Sequence, residues 1–115
     1  MKYVYPAIFY AAKEGGYVVE FPDVEGAVTQ GETLLEAMEM AEDALAGMLA
    51  LHEDSEAGIL DRPFNNEVKE PTPIKDIVAE PNEYSTMAFT TLVKVDTDKY
   101  RKGLAQIHGQ EAALA

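Results

Sequence analysis

The chain has no cysteine, which removes disulfides and thiolate metal sites and fits an unexported, cytoplasmic protein. Long apolar runs are missing too. No stretch approaches the roughly 20 apolar residues of a membrane span, so no membrane role is expected. The opening Met1-Lys2-Tyr3-Val4-Tyr5-Pro6 lacks the basic, apolar and small-residue regions of a signal peptide. Basic residues are scarce: nine Lys and Arg stand against twenty-one Asp and Glu, a net charge of −12. Such a surface repels phosphate backbones and attracts a basic protein, although solubility alone also accounts for it. Histidine is limited to His52 and His108, too little for most acid–base or metal constellations.

What is present suffices for one domain. The 115 residues are 47% hydrophobic, enough for one compact core. Residues 3–10 are aromatic and β-branched and read as a strand, with Pro6 requiring an edge or a locally unpaired position. Lys13-Glu14-Gly15-Gly16 forms a turn into a second strand, Tyr17 to Phe21. A further turn, Pro22 to Gly26, leads to a short third strand over Ala27 to Gln30.

Thr33-Leu34-Leu35-Glu36 has the form of a capping box and opens a helix reaching to about residue 52. Leu34, Met38, Ala41, Leu45, Met48 and His52 recur at helical spacing and are expected on its buried face. Met38, Met40 and Met48 read as core filler, and His52 as a structural group at the helix C-terminus. Residues 54–86, punctuated by Pro63, Pro71, Pro73 and Pro81, form an irregular connection with at most one helical turn near Ile74 to Val78. A fourth strand follows over Met87 to Val95.

The fold class is therefore α+β, in the order β-β-β-α-β. A domain over residues 1–96 is followed by a short tail, 97–115, holding a basic patch and a weak helix interrupted at Gly109. A three-stranded meander and a right-handed crossover give the sheet order 3-2-1-4 with strand four parallel to strand one. One helix covers one face. The other face is also apolar, and needs a partner, a second subunit or the proline-rich segment.

This order resembles a partial ribonuclease H-like fold, yet the nuclease apparatus is missing. Two-metal hydrolysis needs carboxylates converging on ions about 4 Å apart. Glu36, Glu39 and Asp96 are suitably spread, but the first strand carries no acid between Tyr3 and Tyr10. There is no cysteine nucleophile, and Gly15, Gly16 and Gly26 lack phosphate-loop spacing. No enzyme, no metal and no cofactor is expected. The helix itself is unusual: between Thr33 and Leu51 it contains Glu36, Glu39, Glu42 and Asp43 and not one Lys or Arg. Like charges at this spacing cost about 0.2–0.5 kcal/mol per pair, which a basic partner would offset.

Tyr5-Pro6-Ala7-Ile8-Phe9, Gly15-Gly16-Tyr17, Phe21-Pro22-Asp23, Thr29-Gln30-Gly31, the capping box and Leu92-Val93-Lys94-Val95-Asp96 together resemble the HicB family of antitoxins. The resemblance implies a non-catalytic protein that occludes HicA, a small basic toxin cleaving messenger RNA. On it, the expected partner-binding residues are Tyr17, Glu20, Asp23, Glu25 and Gln30 around the hairpin, with Glu36, Glu39 and Asp43 on the helix. Many members carry a C-terminal DNA-binding module. After Lys102 only Gly103 to Ala115 remain, and Lys99, Arg101 and Lys102 could touch at most about three phosphates, so specific operator binding is not expected. The alternative reading is a stand-alone homo-oligomer that scaffolds another protein or holds a ligand on its second face.

Overall fold

A computed structural model describes residues 1–114, with side chains as far as Gln106. Four strands, β1 (Lys2–Ala12), β2 (Tyr17–Glu20), β3 (Val28–Gly31) and β4 (Ser85–Asp96), form one sheet in the order β3-β2-β1-β4. Helix α1 (Leu34–Glu56) links β3 to the 57–84 connection, and helix α2 (Thr97–Leu114) follows β4 directly. The β1–β2 turn depends on glycine: Gly15 and Gly16 have φ of 101° and 76°, where a side chain would be strained.

The strand order is as expected, but the direction of β4 is not. Every pairing is antiparallel, with Tyr3 opposite Val95 and Phe9 opposite Phe89. The cause lies in the connection, which climbs back along the whole sheet. It leaves α1 at the end where β1 begins, and there Val68 bridges Val24 and the Lys69 carbonyl accepts from the Tyr5 hydroxyl at 2.8 Å. It arrives at the other end, where the Lys13 amide donates to the Tyr84 carbonyl at 2.9 Å. From there β4 can only run down against β1. The ribonuclease H comparison, which takes β4 as parallel, loses that point of agreement.

Pro6 sits in a central strand without breaking it. Pairing of β1 with β2 begins at Ile8, so Pro6 faces a strand only on the β4 side, opposite Leu92. Five consecutive residues of β1, Tyr5, Pro6, Ala7, Ile8 and Phe9, are buried, which requires cover on both faces. Tyr5, Ala7, Phe9, Val19, Phe21, Val93 and Val95 form the core with α1, and Phe9 stacks on Phe89 at 5.1 Å between centroids. A single 3-10 turn in the proline-rich segment, Ile74–Asp76, packs against β4. Pro6 and Ile8, at the centre of the second face, are buried. Val4, Val18, Val28 and Leu92 around them stay exposed.

The tail is more structured than expected. α2 begins at Thr97 and continues through Gly103 and Gly109. Its first turns pack against α1, while the side chain of His108 lies outside the described residues. Among the described residues, no helix is long and apolar enough to cross a membrane.

Candidate functional site

The outer face of α1 is shaped by a collision avoided underneath it. A Cβ on Gly31 of β3 would lie 2.4 Å from the Ala37 nitrogen and 2.6 Å from its Cα. The helix backbone therefore rests almost directly on β3, and only small residues fit below it. Ala37 and Ala41 are fully buried, followed by Leu45 and Leu49 as α1 moves over the wider part of the sheet. Leu34 and Met38, expected on this buried face, are displaced outward by the close approach, and Met40 is exposed with them. Of the three methionines expected in the core, only Met48 packs against it.

The displaced residues make a surface of mixed character. Leu35 is 68% exposed and Met38 47%. With Glu39 and Glu42 they recur at three- and four-residue spacing, so all four share one stripe of the helix. Glu36 and Asp43 flank it, both exposed. Thr33 starts the helix as expected, its hydroxyl accepting from the Glu36 amide at 3.1 Å.

Beside this stripe, Glu39, Glu42 and Asp43 border an open cleft of about 500 Å³ whose other walls include Lys2, Lys94, Lys99 and Tyr100. None of those lysines forms an ion pair among the described residues. The acidic ridge is thus not neutralised by ion pairing within the described fold.

The far end of α1 is tied down instead. The Glu53 carboxylate accepts from the Tyr3 hydroxyl (2.7 Å), the Thr97 hydroxyl (2.9 Å) and the Arg101 guanidinium (3.1 Å). Arg101 also reaches Asp54 at 3.0 Å and the Ala50 carbonyl at 2.9 Å. Burial alone would raise the Glu53 pKa, but these three donors outweigh it and hold the carboxyl below its usual range. Arg101 also offsets two carboxylates at a helix C-terminus, where the dipole disfavours them. This is why α1 runs one turn past His52, whose ring lies 6.1 Å from that of Phe64. The basic patch of the tail is accordingly divided, with Arg101 turned inward, Lys99 at the cleft and Lys102 exposed.

The expected partner-binding residues fall into separate places. Glu36, Glu39 and Asp43 lie together on α1. Tyr17 packs against the core from the sheet side. Glu20 and Gln30 lie on the second face, where Glu20 accepts from the Tyr10 hydroxyl at 2.7 Å. Asp23 is buried and accepts from the Thr72 amide and hydroxyl at 2.8 and 2.6 Å. Glu25 uses its carboxylate to accept from the Glu67 amide at 2.8 Å. Asp23 and Glu25 therefore hold the connection. Leu35, Met38 and Met40 were not among the expected site residues, and helical spacing alone marks Met38 as core. Among the described residues no group of three His, Asp or Glu side chains is placed to hold a metal ion.

A family model described as the HicB-like antitoxin of bacterial toxin–antitoxin systems matches residues 5–108. The antitoxin HicB of Escherichia coli K12 is 48% identical over 63 residues, 54% of this chain and 46% of that one. Antitoxin HicB 1 of Photorhabdus laumondii is 56% identical over 41 residues, 36% of this chain and 26% of that one. The chain thus aligns with less than half the length of these curated relatives. A toxin–antitoxin complex from Streptococcus pneumoniae contains a chain with a TM-score of 0.64 at 28% identity, covering 87% of this chain and 73% of that one. The N-terminal domain of Burkholderia pseudomallei antitoxin HicB gives 0.55, also at 28%, covering 82% and 99%. The chain belongs to the HicB-like antitoxin family of bacterial toxin–antitoxin systems.

Proposed function

We propose that this chain is a cytoplasmic antitoxin that occludes a small basic toxin of the HicA type with the exposed face of α1, and performs no catalysis itself. One observation carries the reading. Leu35 and Met38 stand exposed in the middle of an acidic stripe that the described fold does not neutralise by ion pairing. Protein interfaces have an apolar, desolvated centre and a polar rim, and this stripe has both. Methionine adapts its shape to a partner at little cost. The carboxylates Glu36, Glu39, Glu42 and Asp43 complement a surface that holds RNA phosphates, and so compete for it.

Family membership and the likeness to a chain of a toxin–antitoxin complex support the same reading. Glu20 and Gln30, on the opposite face of the sheet, drop out of the proposed interface, as do Asp23, which is buried, and Glu25, whose exposed carboxylate is taken up by the Glu67 amide. The test is co-expression with a HicA-type toxin encoded beside the gene. The wild-type chain should restore growth, and a Leu35→Ser, Met38→Ser, Glu39→Lys variant should not, although it accumulates to the same level. Rescue by that variant equal to wild type would remove α1 as the docking surface.

A further inference from the structure

Beyond an irregularity at Thr86, the outer edge of β4 carries no backbone partner among the described residues. β4 is 12 residues long and ends the sheet on one side, whereas the opposite edge, β3, has four. Proteins blunt such edges with prolines, bulges or several charges. Between Ser85 and Val95 there is no proline, and Lys94 is the only charge in a chain of net −12. The pairing of Met87 to Asp96 with β1 runs without a register shift. Ile74–Asp76 packs nearby, but its backbone bonds close on its own turn, Asp76 to Pro73 and Ile77 to Ile74. Among the described residues no backbone hydrogen bond reaches the outer side of Thr86 to Val95.

We propose that this edge pairs with the same edge of a second copy, antiparallel about a two-fold axis at Thr91, to make one continuous sheet. The sequence of β4 is complementary to itself in that register. On the α1 side Phe89 meets Val93 of the second copy and Met87 meets Val95. On the second face Thr90 meets Leu92 and Ala88 meets Lys94, and the regular ladder stops short of the irregularity at Thr86. No like charges face each other, and the exposed Met87 and Leu92 gain cover. Heterologous edge pairing would call for no such symmetry. Two chains of −12 repel at long range, so this dimer tightens as salt rises, opposite to the capture of a basic toxin.

The experiment uses the purified full chain without toxin. Light scattering should give about twice the 12.6 kDa of one chain, with the dimer favoured by added salt. Thr91→Cys introduces the only thiol in the molecule. Self-facing residues in an antiparallel pair lie about 4.5–5.5 Å apart, within disulfide reach. Mild oxidation should trap Thr91→Cys as a covalent dimer and leave Val28→Cys, on the other edge, monomeric. Leu92→Lys, at an exposed position, should weaken the wild-type dimer at least tenfold. A mass of one chain at every concentration, a dimer that Thr91→Cys fails to trap, or equal trapping through Val28→Cys would overturn the proposal.

Discussion

Asp23 and Thr72, 49 residues apart, are joined by two hydrogen bonds from the Thr72 amide and hydroxyl to the two oxygens of one buried carboxylate. With the Lys69 amide donating to the Asp23 carbonyl at 2.8 Å, they pin the connection to the edge of the core. Asp23→Ala removes both acceptors and leaves the Thr72 amide unpaired. It should cost about 3 kcal/mol in urea denaturation. Because Asp23 is buried and is not part of the exposed Leu35–Met38 stripe, the folded variant should bind toxin with unchanged affinity. A loss of affinity with stability retained would restore Asp23 to the interface.

Gly31→Ala should be the most damaging small substitution in the sheet. The atoms met by the new methyl are backbone atoms of Ala37, which cannot rotate away. The helix must shift, at a cost of about 2–3 kcal/mol or more, and its outer face moves with it. Denaturation should show the lost stability, and toxin affinity should fall together with it. A thermal midpoint equal to wild type would contradict the close helix–sheet packing.

The Glu53 cluster sets opposite responses to acid and alkali. Its carboxyl is held below the ordinary value of 4.5, so its contribution is complete above that pH and is lost as pH falls through the folded value. The melting-temperature advantage of wild type over Glu53→Gln should be full at about pH 7 and should shrink progressively as pH falls below 4.5. Tyr3 and Tyr10 shift the other way. Burial, then hydrogen bonds to Glu53 and Glu20, push each up to about 12. Their stabilisation is present below pH 10 and disappears as pH rises through about 12. Ultraviolet titration should find these two tyrosines ionising last, and Tyr10→Phe should remove one of the late transitions. Uniform titration of all six near pH 10 would be inconsistent with both hydrogen bonds.

Much of the fold was legible because local signals decide it: the aromatic and β-branched run of β1, the glycine turn, and the Thr33 cap. The strand order followed from connection rules. The direction of β4 did not, because it depends on a path through residues 57–84 that is set by Asp23, Tyr5 and Lys13, each far away in sequence. The proposed site was half legible. Glu36, Glu39 and Asp43 stood out by charge, whereas Met38 had the right spacing for the core. What moves it outside is the contact of Gly31 with Ala37, which periodicity on a single helix does not encode. Asp23 and Glu20 looked like interface acids for the same reason. Their partners Thr72 and Tyr10 come from tertiary structure and from strand register.

Toxin capture should depend on salt through its rate of association. The Debye length is about 10 Å at 0.1 M, so added salt screens the long-range attraction of a −12 chain while leaving close contacts largely intact. Association should slow steeply as salt rises and dissociation change little. Glu39→Gln with Glu42→Gln should reduce that slope. An association rate flat across salt would mean that the acidic ridge serves solubility alone.

The most direct measurement is calorimetric titration of a purified HicA-type toxin into two surface variants matched in character. Leu35→Ser with Met38→Ser alters the exposed stripe of α1, and Val18→Ser with Val28→Ser alters exposed positions on the second face of the sheet. All four positions are exposed, so both variants should stay folded. The α1 variant should lose at least about 2 kcal/mol of binding, and the second-face variant should bind as wild type. Undiminished binding by the α1 variant, with the loss in the other, would place the toxin on the opposite side of the molecule.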